Sequence, residues 1–175
     1  MIVRSLVLIA LAGSAMAAPH QHAPSPYAGH RDRAVAALSD QEVTDLRNGA
    51  GMGLALPAEL NGYPGPRHVL DLAAELGLTA AQRATAERLM SEMRRQAIPL
   101  GEQVIAAEAE LGRLFSEGVA STGTVAVATD RVARLRGELR SVHLVVHLAM
   151  REALTAEQRA AYDRLRGYAG GHGKH

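Results

Sequence analysis

Residues 78–89 and 154–165 carry one twelve-residue segment twice, LTAAQRATAERL and LTAEQRAAYDRL, aligned without a gap and identical at eight positions. The segment is built to start a helix. Thr79 and Thr155 are N-cap residues, whose hydroxyl accepts from a free backbone N–H of the first turn. Gln82 and Gln158 stand at the third helical position, from which the side chain reaches back to the cap's own N–H. Leu78 and Leu154 precede the caps, where a hydrophobic staple sits. A chain with two such starts is committed to at least two helices. Composition agrees: hydrophobic residues make up 47% of the chain but aromatic ones only 3%. A core drawn from Leu, Val, Ile, Met and Ala favours close helix packing over a β-sandwich.

The rest of the chain divides around these helices. Residues 1–17 read as a signal peptide, with Arg4, an apolar run from Leu6 to Ala12 and an Ala15-Met16-Ala17 cleavage site. The run is far short of the roughly 20 residues that span a bilayer. Export to the periplasm without stable membrane insertion is the expectation. Within residues 18–65, the Pro- and His-rich stretch 18–33 is expected to be disordered. A short helix follows the Ser39 cap with Glu42 three residues on. Gly49 to Pro66 then holds five Gly and three Pro, a loop or linker.

Residues 66–168 form the helical domain. A first helix opens at Pro66 and stops at Gly77. A second runs from Ala80 to about Glu117, with Pro99 expected to kink or interrupt it. Gly118 to Gly123 makes the turn, a third helix spans about Thr124 to Ala153, and a fourth starts at Thr155 and ends near Tyr168. Residues 169–175 read as a flexible tail. The expected fold is all-α: a long antiparallel helical hairpin with short flanking helices and disordered N- and C-terminal tails.

Histidine is the conspicuous chemical resource, with eight His and no Cys. The missing Cys excludes disulfides, thiolate metal sites and cysteine nucleophiles. His20, His22, His30, His172 and His175 fall in the tails. His143 and His147 stand one turn apart on a helix, so both imidazoles project from one face and can reach one ion. The same spacing also suits half-buried residues that bond a neighbour or line a dimer interface. His68 is a candidate third ligand, and Glu87 or Asp71 a candidate carboxylate. Met150 would suit copper(I). Neutral imidazoles accept Zn, Ni, Co or Cu(II), all divalent transition metals.

Arg131, Arg134, Arg136 and Arg140 crowd the start of the third helix. They form either a solvated face with acidic neighbours or a surface that holds a client or partner. Once Arg4 leaves with the signal peptide, basic and acidic residues balance, which argues against a nucleic-acid binder. No catalytic Ser/His/Asp motif, phosphate-cradling Gly loop or HExxH occurs, so no enzyme is expected.

Leu78-Thr79-x-x-Gln82 and Leu154-Thr155-x-x-Gln158 resemble the paired LTxxQ motifs of the Spy/CpxP family. The resemblance covers roughly Pro66 to Tyr168. Ile98-Pro99-Leu100-Gly101-Glu102 and the His-Leu-x-x-His-Leu stretch at 143–148 look more like its heavy-metal-sensor, ZraP-like branch than its chaperone branch. The resemblance implies an all-α hairpin, often a homodimer, in an envelope stress or metal response. Relatives place a His pair before the last motif, as His143 and His147 do, but also a His pair in the first helix, where this chain has only His68. The implied function is to sense or buffer a divalent metal, through metal bridging of helices. The alternative is an ATP-independent holdase of the Spy type. Implied partners are a membrane-anchored sensor protein or unfolded clients.

Overall fold

The computed structural model describes residues 25–168, and the expected signal peptide, His20, His22, His172 and His175 lie outside them. Among the described residues the protein is all-α. Six α-helices follow a short 3-10 turn at Ala28–Asp32: α1 (Asp40–Asn48), α2 (Leu56–Glu59), α3 (Pro66–Asp71), α4 (Ala80–Ser116), α5 (Thr122–Ala153) and α6 (Ala156–Leu165). The 3-10 turn lies within the stretch expected to be disordered. Local backbone bonds from Ala28 to Ser25 and from Arg33 to His30 hold it, and Val35 and Leu38 just beyond it are buried in the core.

Helices α4 and α5 form the hairpin. At about 1.5 Å per residue, α4 is roughly 55 Å long. The antiparallel register follows from cross-contacts that converge from both ends: Arg136 meets Glu108 near the turn, and Gln82 reaches Ala153 at the far end. Each long helix begins at a full capping box, Thr79 with Gln82 and Ser121 with Thr124. The 117–121 turn follows Gly118 in the left-handed region, which only glycine adopts freely.

Pro99 does not interrupt α4, which continues to Ser116. Proline removes one N–H, the one that would serve the carbonyl of Arg95. Both Arg95 and Pro99 are exposed, a setting in which water can serve that carbonyl.

Two apolar clusters fill the molecule. The larger joins Met93, Ala97, Val104 and Ile105 of α4, Val132, Leu135, Leu139 and Val146 of α5, and Val35, Leu38 and Leu46 around α1. Burial of this kind contributes about 25 cal/mol per Å² of apolar surface. Helix α1 crosses α4 where Gly101 leaves room for the Leu46 backbone. The smaller cluster gathers Val69, Leu76, Ala86, Leu89, Met150, Leu154 and Tyr162 at the open end of the hairpin.

There the duplicated segments meet. Gln82 and Gln158 exchange hydrogen bonds, Nε2 of each donating to Oε1 of the other at 2.8 and 3.0 Å. Each Oε1 also accepts from its own Thr backbone N–H. The second Nε2 bonds go to Ala153 O and Leu76 O. Both amides thus use their full capacity, and one Gln side chain caps its own helix while tying down the other. Local capping was legible from the motif; the exchange between the two copies was not.

Candidate functional site

The Gly/Pro-rich stretch between α1 and α3 is a packed element rather than a loose linker. It carries α2, and Glu59, Pro64 and Gly65 are buried in it. Its purpose in the fold is to deliver a carboxylate and a carbonyl to α5. Glu59 is only 7% exposed. Its Oε1 accepts from the hydroxyls of Tyr162 and Tyr168, with Arg166 Nε at 3.5 Å. Its Oε2 accepts from Gly65 N at 3.2 Å and lies 3.7 Å from His147 Nδ1. Burial, followed by the hydrogen bond to Glu59, pushes the Tyr162 hydroxyl's pKa far up, so it stays a permanent donor.

This hub orients His147. The ring's Nδ1 is 2.8 Å from Tyr63 O. A carbonyl only accepts, so Nδ1 carries a proton, and Nε2 is the nitrogen that the neutral tautomer leaves to ligate. The guanidinium of Arg151 stacks over the Tyr63 ring at 4.6 Å and steadies that residue. A Cβ on Gly65 would stand 2.9 Å from His147 Cε1, so the glycine is there for close approach. A metal-binding histidine is oriented in the same way, one ring nitrogen held by a carbonyl or carboxylate so that the other is free to ligate.

One turn earlier, His143 is 4% exposed, and its Nε2 is buried without a hydrogen-bond partner. Burial, and then the proximity of His147, hold its pKa below the ordinary histidine value. That favours the neutral His143 ring, the form that ligates metal. They line an open cavity of about 670 Å³ together with His68, Glu59 and Asp71.

The sequence-derived site residues thus separate. His143, His147 and His68 share one cavity. Asp71 lines it too, 3.6 Å from His68 Nδ1. Glu87 is exposed on α4 and is not among the cavity-lining residues; the carboxylate that meets the histidines is Glu59. Met150 is fully buried in the smaller cluster, away from the cavity lining. No three His, Asp or Glu side chains converge closely enough to hold one ion among the described residues. Arg131, Arg134 and Arg140 are exposed on α5, whereas Arg136 is engaged by the buried Glu108 at 2.6 Å. No helix of the described residues is long and apolar enough to cross a membrane.

Sequence reasoning missed Glu59 and Tyr162. One signal was available for Tyr162: in the repeat it replaces Ala86, and both positions are fully buried. A tyrosine in an alanine's place, in a chain this poor in aromatics, marks a hydroxyl that needs a partner. Nothing in the loop's composition singles out Glu59.

A family model described as LTXXQ motif family protein matches residues 66–166, more than half of the chain. No match was found among curated proteins or among solved structures.

Proposed function

The chain belongs to the LTXXQ motif family, and from that membership we propose that it is a periplasmic protein that binds a transition metal and senses or buffers it in an envelope metal response. The observation that carries this reading is the state of His143. A buried imidazole nitrogen without a partner costs stability unless something uses it, and a neutral ring beside a second, oriented imidazole is suited to an ion. The residues present fit a metal in this respect: His143 and His147 would hold it, with His68 on the same cavity wall. A bound metal supplies a positive centre that draws in neutral imidazoles. The chain supplies the orientation, through Tyr63 O and Glu59 on His147. Ligands from α5 and α3 would tie the segment before α4 to the hairpin, a link able to bias one arrangement over another.

Calorimetric titration of the protein with Zn(II), Ni(II), Co(II) and Cu(II), repeated on His143→Ala/His147→Ala, tests this reading. At least one metal is expected to bind, and the double variant to bind it roughly 100-fold more weakly, about 2.7 kcal/mol. Equal affinities in the two proteins would sink the site.

A second reading is the ATP-independent holdase. It is favoured by α5, which exposes Val127, Val145 and Leu148 on the same helix as Arg131, Arg134 and Arg140. Apolar contacts interspersed with guanidinium groups suit an unfolded client. Here the expected result is suppressed aggregation of an unfolded client that persists in excess chelator. Protection that vanishes with chelation counts against a holdase working without metal.

A further inference from the structure

The cavity offers more sulfur than its histidines alone would imply. Four methionines lie beyond residue 17, and three of them, Met52, Met90 and Met93, line the same cavity as His68, His143 and His147. Met90 and Met93 come from α4, opposite the α5 histidines in the hairpin. Met93 is 6% exposed and Met90 half-buried. Met52 comes from the Gly51-Met52-Gly53 loop and is held at φ 43°, the one non-glycine residue with positive φ among the described residues. That conformation is unfavourable for a side chain with a Cβ, and strain of this kind concentrates where ligands bind.

The buried oxygen donor on the lining, Glu59, is engaged, and Asp71 is exposed beside charged neighbours. Glu59 serves two tyrosine hydroxyls and a backbone N–H, and Asp71 stands between Arg67 and His68. Zn, Ni or Co would need further nitrogen or oxygen ligands, yet no three His, Asp or Glu converge among the described residues. Thioethers are soft and neutral, Met93 and Met90 here packing with the larger apolar cluster at the edge of the cavity, and soft sulfur with imidazole suits Cu(I).

We propose that the cavity is a Cu(I) site in which the Met90 and Met93 thioethers complete the ligand set begun by His143 and His147. This inference rests on the metal-binding reading above and narrows it to a soft monovalent ion.

The test is affinity. Cu(I) is delivered to the full chain without oxygen as its acetonitrile complex and competed with bicinchoninate; Ag(I) serves as a second soft ion and Zn(II) as the comparator. Cu(I) is expected to bind at least 100-fold more tightly than Zn(II). Met90→Leu/Met93→Leu keeps the volume nearly unchanged; it is expected to weaken Cu(I) and Ag(I) at least tenfold and to leave Zn(II) within twofold. Met150→Leu should change none of them. If the double variant melts early, Met90→Leu alone, at the half-buried position, carries the same expectation. Cu(I) binding no tighter than Zn(II), or indifferent to both methionines, overturns the inference and leaves the metal reading standing. Binding of every ion unaffected by His143→Ala/His147→Ala overturns both.

Discussion

Gly101→Ala is expected to lower the melting temperature by on the order of 10 °C, although alanine is the better helix former. On helix propensity alone the change would stabilise by about 1 kcal/mol. A Cβ at Gly101, however, would stand 2.2 Å from Leu46 O, 2.8 Å from Leu46 C and 3.2 Å from Leu46 Cα. All three are main-chain atoms, so no rotamer change relieves the contact. Helix α1 must move away from α4, taking Leu46 and with it Val35 and Leu38 out of the larger cluster. Overpacking of this kind costs about 3 kcal/mol, which for a domain of this size corresponds to the stated shift. Gly112→Ala is the matched control, because nothing lies within 4 Å of a Cβ there; it should raise stability slightly. Thermal melting of the two variants checks the contrast. An equal gain in both would mean that α1 does not sit on α4 as described.

Glu59→Ala is expected to cost about 3 kcal/mol at neutral pH, measured by urea unfolding. The carboxylate itself is not the source of that stability. Its removal strands the groups it serves: the buried Tyr162 hydroxyl, Gly65 N, and the Arg166 guanidinium beside it. Leaving buried donors unsatisfied costs roughly 1–3 kcal/mol each, offset in part by relaxation and water entry. Glu59→Gln keeps a carbonyl-type acceptor and should cost only about 1 kcal/mol. A double-mutant cycle with Tyr162→Phe should return a coupling of at least about 1 kcal/mol. Additive single and double effects would show that the two side chains stand apart in solution.

How far the sequence reached depended on how local the physics was. The caps at Ser39, Thr79 and Thr155 are settled by residues within one turn, and each forms the capping box the motif implied. Helix α4 ends within a residue of its expected limit because Gly118 stops it. Of the two outcomes expected at Pro99, a kink or an interruption, the helix shows no interruption, because the cost of a missing N–H depends on whether water can reach the orphaned carbonyl, which is a matter of exposure. The stretch between α1 and α3 looked like a linker for a related reason. Glycine and proline content reports backbone freedom, whereas burial of Glu59 and Pro64 depends on what lies against them. The pairing of His143 with His147 was legible, since helical spacing fixes it. Glu87 is exposed where Glu59 is buried, and no periodicity distinguishes a carboxylate that faces solvent from one delivered by a loop.

The sequence by itself determined the helices, their starts and the pairing of two imidazoles, because capping and periodicity act over three or four residues. Only the tertiary structure decided that the two repeated glutamines bond each other, that Glu59 rather than Glu87 meets His147, and that Met90 and Met93 line one cavity with the histidines. Those contacts join residues far apart in the chain, on α2, α4, α5 and α6. They are set by how the helices pack, and packing is a property of the whole core rather than of any segment within it.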